Sequence, residues 1–123
     1  MTYIKRIDHI QLAAPVGCEE QARAFFHDIL ALKEIEKPEE LKKNGGAWFS
    51  NGHVDIHVGA EETFVPAKKA HPAFEVTQID EFASYLENKG IEMEFDHKLP
   101  GAKRFYIHDP FGNRLEFLEW VEK

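Results

Sequence analysis

Hydrophobic and polar residues follow a clear order of patterns along the first half of the chain. Rough alternation over residues 3–14 predicts a strand, and apolar residues at helical spacing over 19–32 predict an amphipathic helix. Three more stretches have the composition of strands and lie at 33–36, 47–50 and 54–58. The first half is therefore predicted to form one strand, a helix and three further strands.

The second half repeats this order. Residues 71–76 predict a strand, and apolar residues at helical spacing over 79–86 predict a helix that ends at Gly90. Three further stretches predict strands and lie at 91–95, 103–108 and 114–121. Both halves thus contain strand, helix, strand, strand and strand in that order.

This repetition defines the predicted fold class. An internal duplication with a period of about 62 residues aligns His71 with His9. It also places Glu116 within one residue of the counterpart of Asp55. The predicted class is α+β, with two tandem βαβββ modules.

Local signals indicate the turns and one helix start. Asn51-Gly52 predicts a tight hairpin between the third and fourth strands, because both residues tolerate positive φ. The Pro and Gly of residues 109–113 suit a turn between the last two strands. Thr77 with Asp80 predicts a variant of the capping box at the start of the second helix.

Composition and charge narrow the functional classes. The 123 residues are 43% hydrophobic, and no Ser/Gly-rich linker separates the halves, so we expect one domain over 1–123 with modules at about 3–59 and 70–121. A formal charge of −7 disfavours nucleic acid and anionic membranes as partners. Cys18 has no second cysteine to pair with, and residues 1–10 lack the apolar run of a signal peptide. We expect a cytoplasmic protein whose partner is a small molecule.

Alternation along the strands singles out three residues with metal-binding chemistry. His9, His71 and Glu116 each share the polar face of a predicted strand, opposite apolar side chains. A curved sheet with helices on its convex side would bring all three into one concave cup. Two imidazoles and a carboxylate on rigid strands suit a divalent metal and leave positions free for substrate. Isolated strand histidines more often serve hydrogen bonds, so spacing alone does not establish this site.

Other residues are candidates for completing the site. Asp55 and His57 share a face of the fourth strand; the repeat register favours Asp55 as a fourth ligand, whereas metal chemistry favours His57. His57 is also a candidate for substrate contact or proton transfer. Arg104 is a candidate for meeting an anionic group of the substrate, and Trp48 for an aromatic wall.

Three segments resemble the vicinal oxygen chelate superfamily, namely IDHIQL at 7–12, HPAFEV at 71–76 and DPFGNRLEF at 109–117. That superfamily includes glyoxalase I, extradiol dioxygenases, fosfomycin-modifying thiol transferases and bleomycin-binding proteins. The resemblance implies an eight-stranded mixed-sheet cup around one divalent ion (Zn, Ni, Mn or Fe) and a homodimer. It implies His9, His71 and Glu116 as ligands. Together with the residue chemistry, it gives Glu116 and His57 as the expected catalytic residues.

The chain also departs from its better-known relatives. Glyoxalase I-like enzymes supply a longer carboxylate where this chain has Asp55, and residues 99–103 match poorly the potassium- and phosphonate-binding loop of fosfomycin-modifying enzymes. Bleomycin-binding relatives generally lack the metal ligands, and extradiol dioxygenases are usually longer. We expect a small glyoxalase-like metalloenzyme with lyase or isomerase, thiol-transfer or dioxygenase chemistry. The alternative is a non-catalytic small-molecule binding protein of the bleomycin-resistance type.

Overall fold

The computed structural model of the protein describes residues 2–121. The chain divides into two compact units, Met1–Val65 and Pro66–Lys123. Each unit contains one four-stranded sheet. No helix among the described residues combines the length and the apolar character that a membrane crossing needs. The expectation that both units form a single domain stays a prediction.

The first unit has one long helical segment packed beside its sheet. Its elements in chain order are β1 (Ile10–Pro15), α1 (Glu19–Ala22) with a π-helical continuation (Arg23–His27), β2 (Lys33–Ile35), α2 (Glu39–Lys42), β3 (Ala47–Ser50) and β4 (Asp55–Glu61). The strand order is β1-β4-β3-β2, in which β1 runs parallel to β4 and the other neighbours are antiparallel. The short helix α2 was not predicted from the sequence.

The second unit has the same topology. Its elements are β5 (Ala73–Glu75), α3 (Ile79–Asn88), β6 (Glu94–Asp96), β7 (Ala102–His108) and β8 (Arg114–Trp120). The strand order is β5-β8-β7-β6, again with one parallel pair, β5 and β8. The predicted α+β class with two tandem βαβββ modules is therefore confirmed.

Each sheet packs its apolar face against its own helix. In the first unit, Phe26 of the helical segment lies with its ring centroid 5.5 Å from that of Phe49 on β3. In the second unit, Phe82 of α3 lies 5.1 Å from Phe117 and 6.0 Å from Phe105. Because side chains alternate along a strand, the residues between these core positions point to the opposite face of each sheet. That opposite face carries the polar candidates.

Both first strands begin later than the alternation predicts. β1 starts at Ile10 and β5 at Ala73, so His9 and His71 lie just before their strands. The neighbouring strand β4 starts only at Asp55, so the residues upstream of His9 have no strand to pair with in this sheet. Alternation in the sequence indicates which residues favour a strand locally, whereas the residue at which a strand begins depends on the strand that it pairs with.

The hairpin between β3 and β4 is paired as predicted. Ser50 pairs with Asp55, and the Asn51 N–H donates to the Val54 carbonyl at 3.2 Å, so Gly52 and His53 form the tip. The Asn51 side-chain oxygen accepts hydrogen bonds from the backbone N–H groups of His53 and Val54 at 2.9 and 2.8 Å, and Gly52 has φ of +90°. The predicted tight hairpin is therefore confirmed, with its two-residue tip one position later than Asn51-Gly52.

The start of α3 is also capped differently. Its N-cap residue is Gln78, in the left-handed conformation, and no side chain of the predicted capping box bonds there. The backbone N–H groups of Gln78 and Ile79 instead donate to the Glu119 carboxylate on β8, both at 3.1 Å. The predicted capping box is therefore wrong, and a carboxylate distant in sequence serves the helix N-terminus.

Candidate metal and substrate site

Glu116 and His71 form a part-buried polar pair in the second unit. Glu116 lies on β8 and is only 5% exposed; its strand neighbours are Ala73 and Tyr106. His71 lies just ahead of Ala73, and its Nε2 is 2.9 Å from Glu116 Oε1. The other ring nitrogen, Nδ1, donates to the Lys69 carbonyl at 2.8 Å. Two residues far apart in sequence thus bring a nitrogen and a carboxylate oxygen together.

The hydrogen bond that His71 Nδ1 donates determines the tautomer of the neutral ring, and therefore whether Nε2 carries a proton or a lone pair. A carbonyl can only accept, so Nδ1 carries the proton, and in the neutral ring Nε2 presents a lone pair to Glu116. Two such acceptors at 2.9 Å need a proton or a cation between them. Two ligand atoms about 2.0–2.2 Å from one ion, at right angles to each other, lie about 3 Å apart. The donor types, their spacing and the fixed tautomer therefore fit a divalent metal.

Arg104 holds the second oxygen of Glu116. Its Nη1 donates to Glu116 Oε2 at 3.2 Å, while Nε and Nη2 donate to Asp96 Oδ1 at 3.2 and 3.0 Å. Burial alone would lower the pKa of Arg104, but these hydrogen bonds raise it overall. The backbone N–H of Lys98 and the Arg104 side chain lower the pKa of Asp96. Arg104, a predicted substrate contact, is thus engaged by two carboxylates and orients Glu116.

Tyr106 lies between charged side chains on the same face of the sheet. It is 7% exposed, and its ring centroid is 5.4 Å from the Arg104 guanidinium carbon and 3.9 Å from that of Arg114. The His71 ring meets the tyrosine edge to face at 5.5 Å. Neither Tyr106 nor Arg114 was among the residues predicted from the sequence, although alternation places Arg114 on the face of Glu116.

The first unit carries a stack of three aromatic rings. The His57 ring lies 3.8 Å from Trp48 at an interplanar angle of 4°, and 4.0 Å from His9 at 17°. Burial is the largest cause of a lowered pKa for His57, and the neighbouring His9 acts in the same direction. His57 is therefore neutral near pH 7, and its two faces are covered by neighbouring rings.

Asp8 positions the first histidine of this stack. Its Oδ2 is 3.0 Å from His9 Nδ1, and this hydrogen bond is the largest cause of a lowered pKa for Asp8. With Nδ1 facing the carboxylate, Nε2 is the ring nitrogen left to accept a proton or a metal. A histidine with one nitrogen on a carboxylate is typical of metal ligands, because the hydrogen bond fixes the ring. The sequence analysis missed Asp8.

The register of the sheets identifies equivalent positions in the two units. His57 pairs with Trp48 on the antiparallel neighbour, as Glu116 pairs with Tyr106. His57 is therefore the structural counterpart of Glu116.

Asp55 occupies a different position from the one that the sequence repeat gave it. Asp55 pairs with Ser50 at the start of β4, as Arg114 pairs with His108 at the start of β8. Its counterpart is thus Arg114, and the sequence register was wrong. Ile35 pairs with Trp48 as Glu94 pairs with Tyr106, so the two halves have already lost the offset of His9 and His71 at β2 and β6.

Neither unit by itself, over residues 2–121, groups three His, Cys, Asp or Glu side chains in a position to hold a metal ion. Within the second unit His71 and Glu116 are adjacent donors, and within the first unit His9 lies beside the Asp8 carboxylate.

Comparison with known proteins identifies the family. The chain belongs to the Glyoxalase/Bleomycin resistance protein/Dioxygenase superfamily, whose model matches residues 6–117. The resemblance drawn from the sequence segments is therefore confirmed. No protein with a curated function matches the chain.

Solved structures share this fold over nearly the whole chain. A glyoxalase family protein from Bacillus anthracis is 57% identical, with a TM-score of 0.94 and coverage of 98% of both chains. A mutant of the fosfomycin resistance protein FosX from Listeria monocytogenes, complexed with Mn(II) and 1S,2S-dihydroxypropylphosphonic acid, is 20% identical with a TM-score of 0.77, covering 95% of this chain and 93% of its own. Lactoylglutathione lyase from Agrobacterium tumefaciens is 23% identical with a TM-score of 0.68, covering 94% and 96%.

Proposed function

We propose that this protein is a metal-dependent enzyme that acts on a small oxygen-bearing substrate. Its ligands are His71 and Glu116 of the second unit and His9 of the first. The observation that carries the proposal is the distance of 2.9 Å between two atoms of metal-ligand type, His71 Nε2 and Glu116 Oε1. A divalent ion satisfies this pair without a proton, and the FosX complex with Mn(II) supports Mn(II) as the first ion to test.

The bound ion would supply Lewis-acid chemistry by polarising an oxygen of the substrate. Arg104 keeps Glu116 oriented by holding the oxygen that does not face His71. Trp48, whose ring stacks on His57, offers aromatic surface to the substrate. His57, neutral near pH 7 because burial lowers its pKa, is able to take a proton from the substrate at a ring nitrogen.

The stacked geometry lets only one of His9 and His57 bind a given ion, and the hydrogen bond between Asp8 and His9 favours His9 as the ligand from the first unit. A metal ion binds a histidine nitrogen in the plane of the ring, about 2.0–2.1 Å away. The His9 and His57 rings are stacked 4.0 Å apart and nearly parallel, so one ion does not lie in both planes. We therefore assign His57 to ring support and proton transfer. Asp55, at the strand start that corresponds to Arg114, is not assigned as a ligand.

Calorimetric titration of metal-free protein with Mn(II) and Zn(II) tests the proposal. We expect one ion per chain, and binding at least about 100-fold weaker in His71→Ala, Glu116→Gln and His9→Ala. His53→Ala is the matched control, because His53 is an exposed histidine of the β3–β4 loop. Equal metal affinity in His71→Ala, Glu116→Gln and wild type would overturn the proposal.

The reaction class is tested on the metal-loaded protein. Lactoylglutathione lyase and FosX share this fold, so methylglyoxal with a thiol and an epoxide phosphonate are the first two substrates, and catechols probe oxygen-dependent cleavage. Turnover that disappears in Glu116→Gln supports an enzyme. Ligand binding without turnover, unchanged in His71→Ala, supports the non-catalytic binding protein instead.

A further inference from the structure

The polar face of the second sheet extends beyond Glu116 to Arg114. Register partners share a face, so Tyr106 with Glu116 and His108 with Arg114 form two successive rows on that face. Residues two apart on a strand lie roughly 7 Å apart along it. The Arg114 side chain thus starts one row away from the proposed metal ligand.

The two arginines on this face are engaged in different ways. Arg104 donates to the carboxylates of Asp96 and Glu116, so its charge is matched inside the unit. Arg114 lies over the Tyr106 ring at 3.9 Å, and the part of the chain that the structure describes places no carboxylate within 4.0 Å of its guanidinium. Among the described residues, the contact partner of the positively charged Arg114 side chain is therefore the Tyr106 ring and not a carboxylate.

The contact with the Tyr106 ring prepares Arg114 to bind an anion. The cation–π contact holds the guanidinium over the ring, 3.9 Å from its centre, while the N–H donors of the guanidinium can still reach an anion. Two parallel N–H groups match two oxygens of a carboxylate or a phosphonate, and the ring contact has already restricted the side chain. Tyr106 itself is fixed by burial and by the His71 ring.

We propose that Arg114 is the anion-binding residue of the site and that the substrate carries an oxyanion group. The substrate class is a small molecule whose carboxylate or phosphonate meets Arg114 while other oxygens reach the metal. This inference rests on the proposed function for the role of the metal, but the anion contact itself involves only residues of the second unit.

The test uses methylphosphonate and acetate as probes of the two oxyanion types. Each is titrated into full-length protein, with and without Zn(II), and binding is followed through the Nε–H NMR signals of the arginine side chains. The variants are Arg114→Gln, which removes the charge, and Arg114→Lys, which keeps the charge but loses the planar fork. Arg23→Gln is the matched control, because it removes one charge from an exposed arginine paired with Glu34.

We expect at least one probe to shift the Arg114 signal, with Kd raised at least tenfold in Arg114→Gln, less in Arg114→Lys, and unchanged in Arg23→Gln. Tyr106→Phe keeps the ring and retains binding, whereas Tyr106→Leu weakens it several-fold. The tighter probe identifies the oxyanion. Equal binding of both probes to Arg114→Gln and wild type, or no binding of either, overturns the inference while metal binding stands. Anion binding by Arg114 in a protein that takes up no metal would overturn the proposed function and leave this inference intact.

Discussion

A substitution of His57 can distinguish two roles for this residue, namely stacking against the His9 ring and binding the metal ion. Its ring is enclosed between Trp48 and His9, so it supports the His9 ring whether or not it also binds an ion. Phenylalanine keeps a flat ring of similar size and offers no ligand atom. Substitution by phenylalanine therefore distinguishes stacking from ligation.

We expect His57→Phe to bind metal within about threefold of wild type but to lose turnover, because the proton acceptor is gone. His57→Ala, which leaves the His9 ring unsupported on one face, is expected to weaken metal binding by about tenfold. Metal titration and steady-state kinetics of both variants provide the measurement. Equal loss of metal affinity in the two variants would identify His57 as a ligand.

For single residues, the sequence predicted which side chains share a face of a strand, but it did not predict which side chains contact one another. Alternation is a local property, so it placed Arg114 with Glu116 on one side of the last strand. The stacking of Arg114 on Tyr106 depends on a register across two strands, and the pairing of Asp8 with His9 depends on the backbone just before a strand. Neither is encoded in the spacing of residues along one strand.

Among the elements, the turn between β7 and β8 depends on one buried carboxylate. Asp109 accepts hydrogen bonds from the backbone N–H groups of Phe111 and Asn113 and from the Asn113 side chain, at 2.8–2.9 Å. Asp109→Ala leaves these donors without that acceptor, so we expect a loss of about 1–3 kcal/mol in the free energy of unfolding. Urea denaturation measures it, with exposed Asp28→Ala as the control.

The Asp109 carboxyl group also makes the difference in free energy of unfolding between wild type and Asp109→Ala depend on pH. Burial raises the pKa of Asp109 above its ordinary 3.8, although its hydrogen bonds oppose the shift. The folded protein then binds the proton more tightly than the unfolded chain, so the stability from Asp109 is full below 3.8 and declines as pH rises through the raised pKa. The advantage of wild type over Asp109→Ala should shrink over that window. An advantage that grows with pH would contradict a raised pKa.

The start of α3 illustrates long-range capping. Glu119 accepts from two backbone N–H groups at the helix N-terminus, so we expect Glu119→Ala to destabilise the protein by about 0.5–2 kcal/mol. Glu92→Ala removes an exposed glutamate outside the helix and should change little. Chemical denaturation measures the free energy of unfolding of both variants. Equal values for Glu119→Ala and Glu92→Ala would mean that the helix needs no cap from β8. The sequence favoured Thr77 because capping rules consider only neighbouring residues.

For the whole molecule, the duplicated order of elements was the most informative sequence feature. The order of one strand, one helix and three strands occurs twice in the sequence, and this repetition was enough to predict the α+β class and both sheets. The constant offset failed between β1 and β2, because the helix-containing connection of the first unit is longer than that of the second and shifts the later residues against their counterparts. Asp55 was therefore matched with the wrong residue, whereas His71 and His9, which precede that connection in their units, were matched correctly. The expected homodimer stays a prediction that sedimentation velocity tests.

We propose that His71 and Glu116 hold a divalent ion, and anomalous diffraction from crystals of the protein grown with saturating Zn(II) tests this proposal. We predict one strong peak about 2.0–2.2 Å from both His71 Nε2 and Glu116 Oε1, with the bond from His71 Nδ1 to the Lys69 carbonyl retained. A direct His71–Glu116 contact with no peak beside it, in crystals that hold zinc elsewhere, would contradict the account.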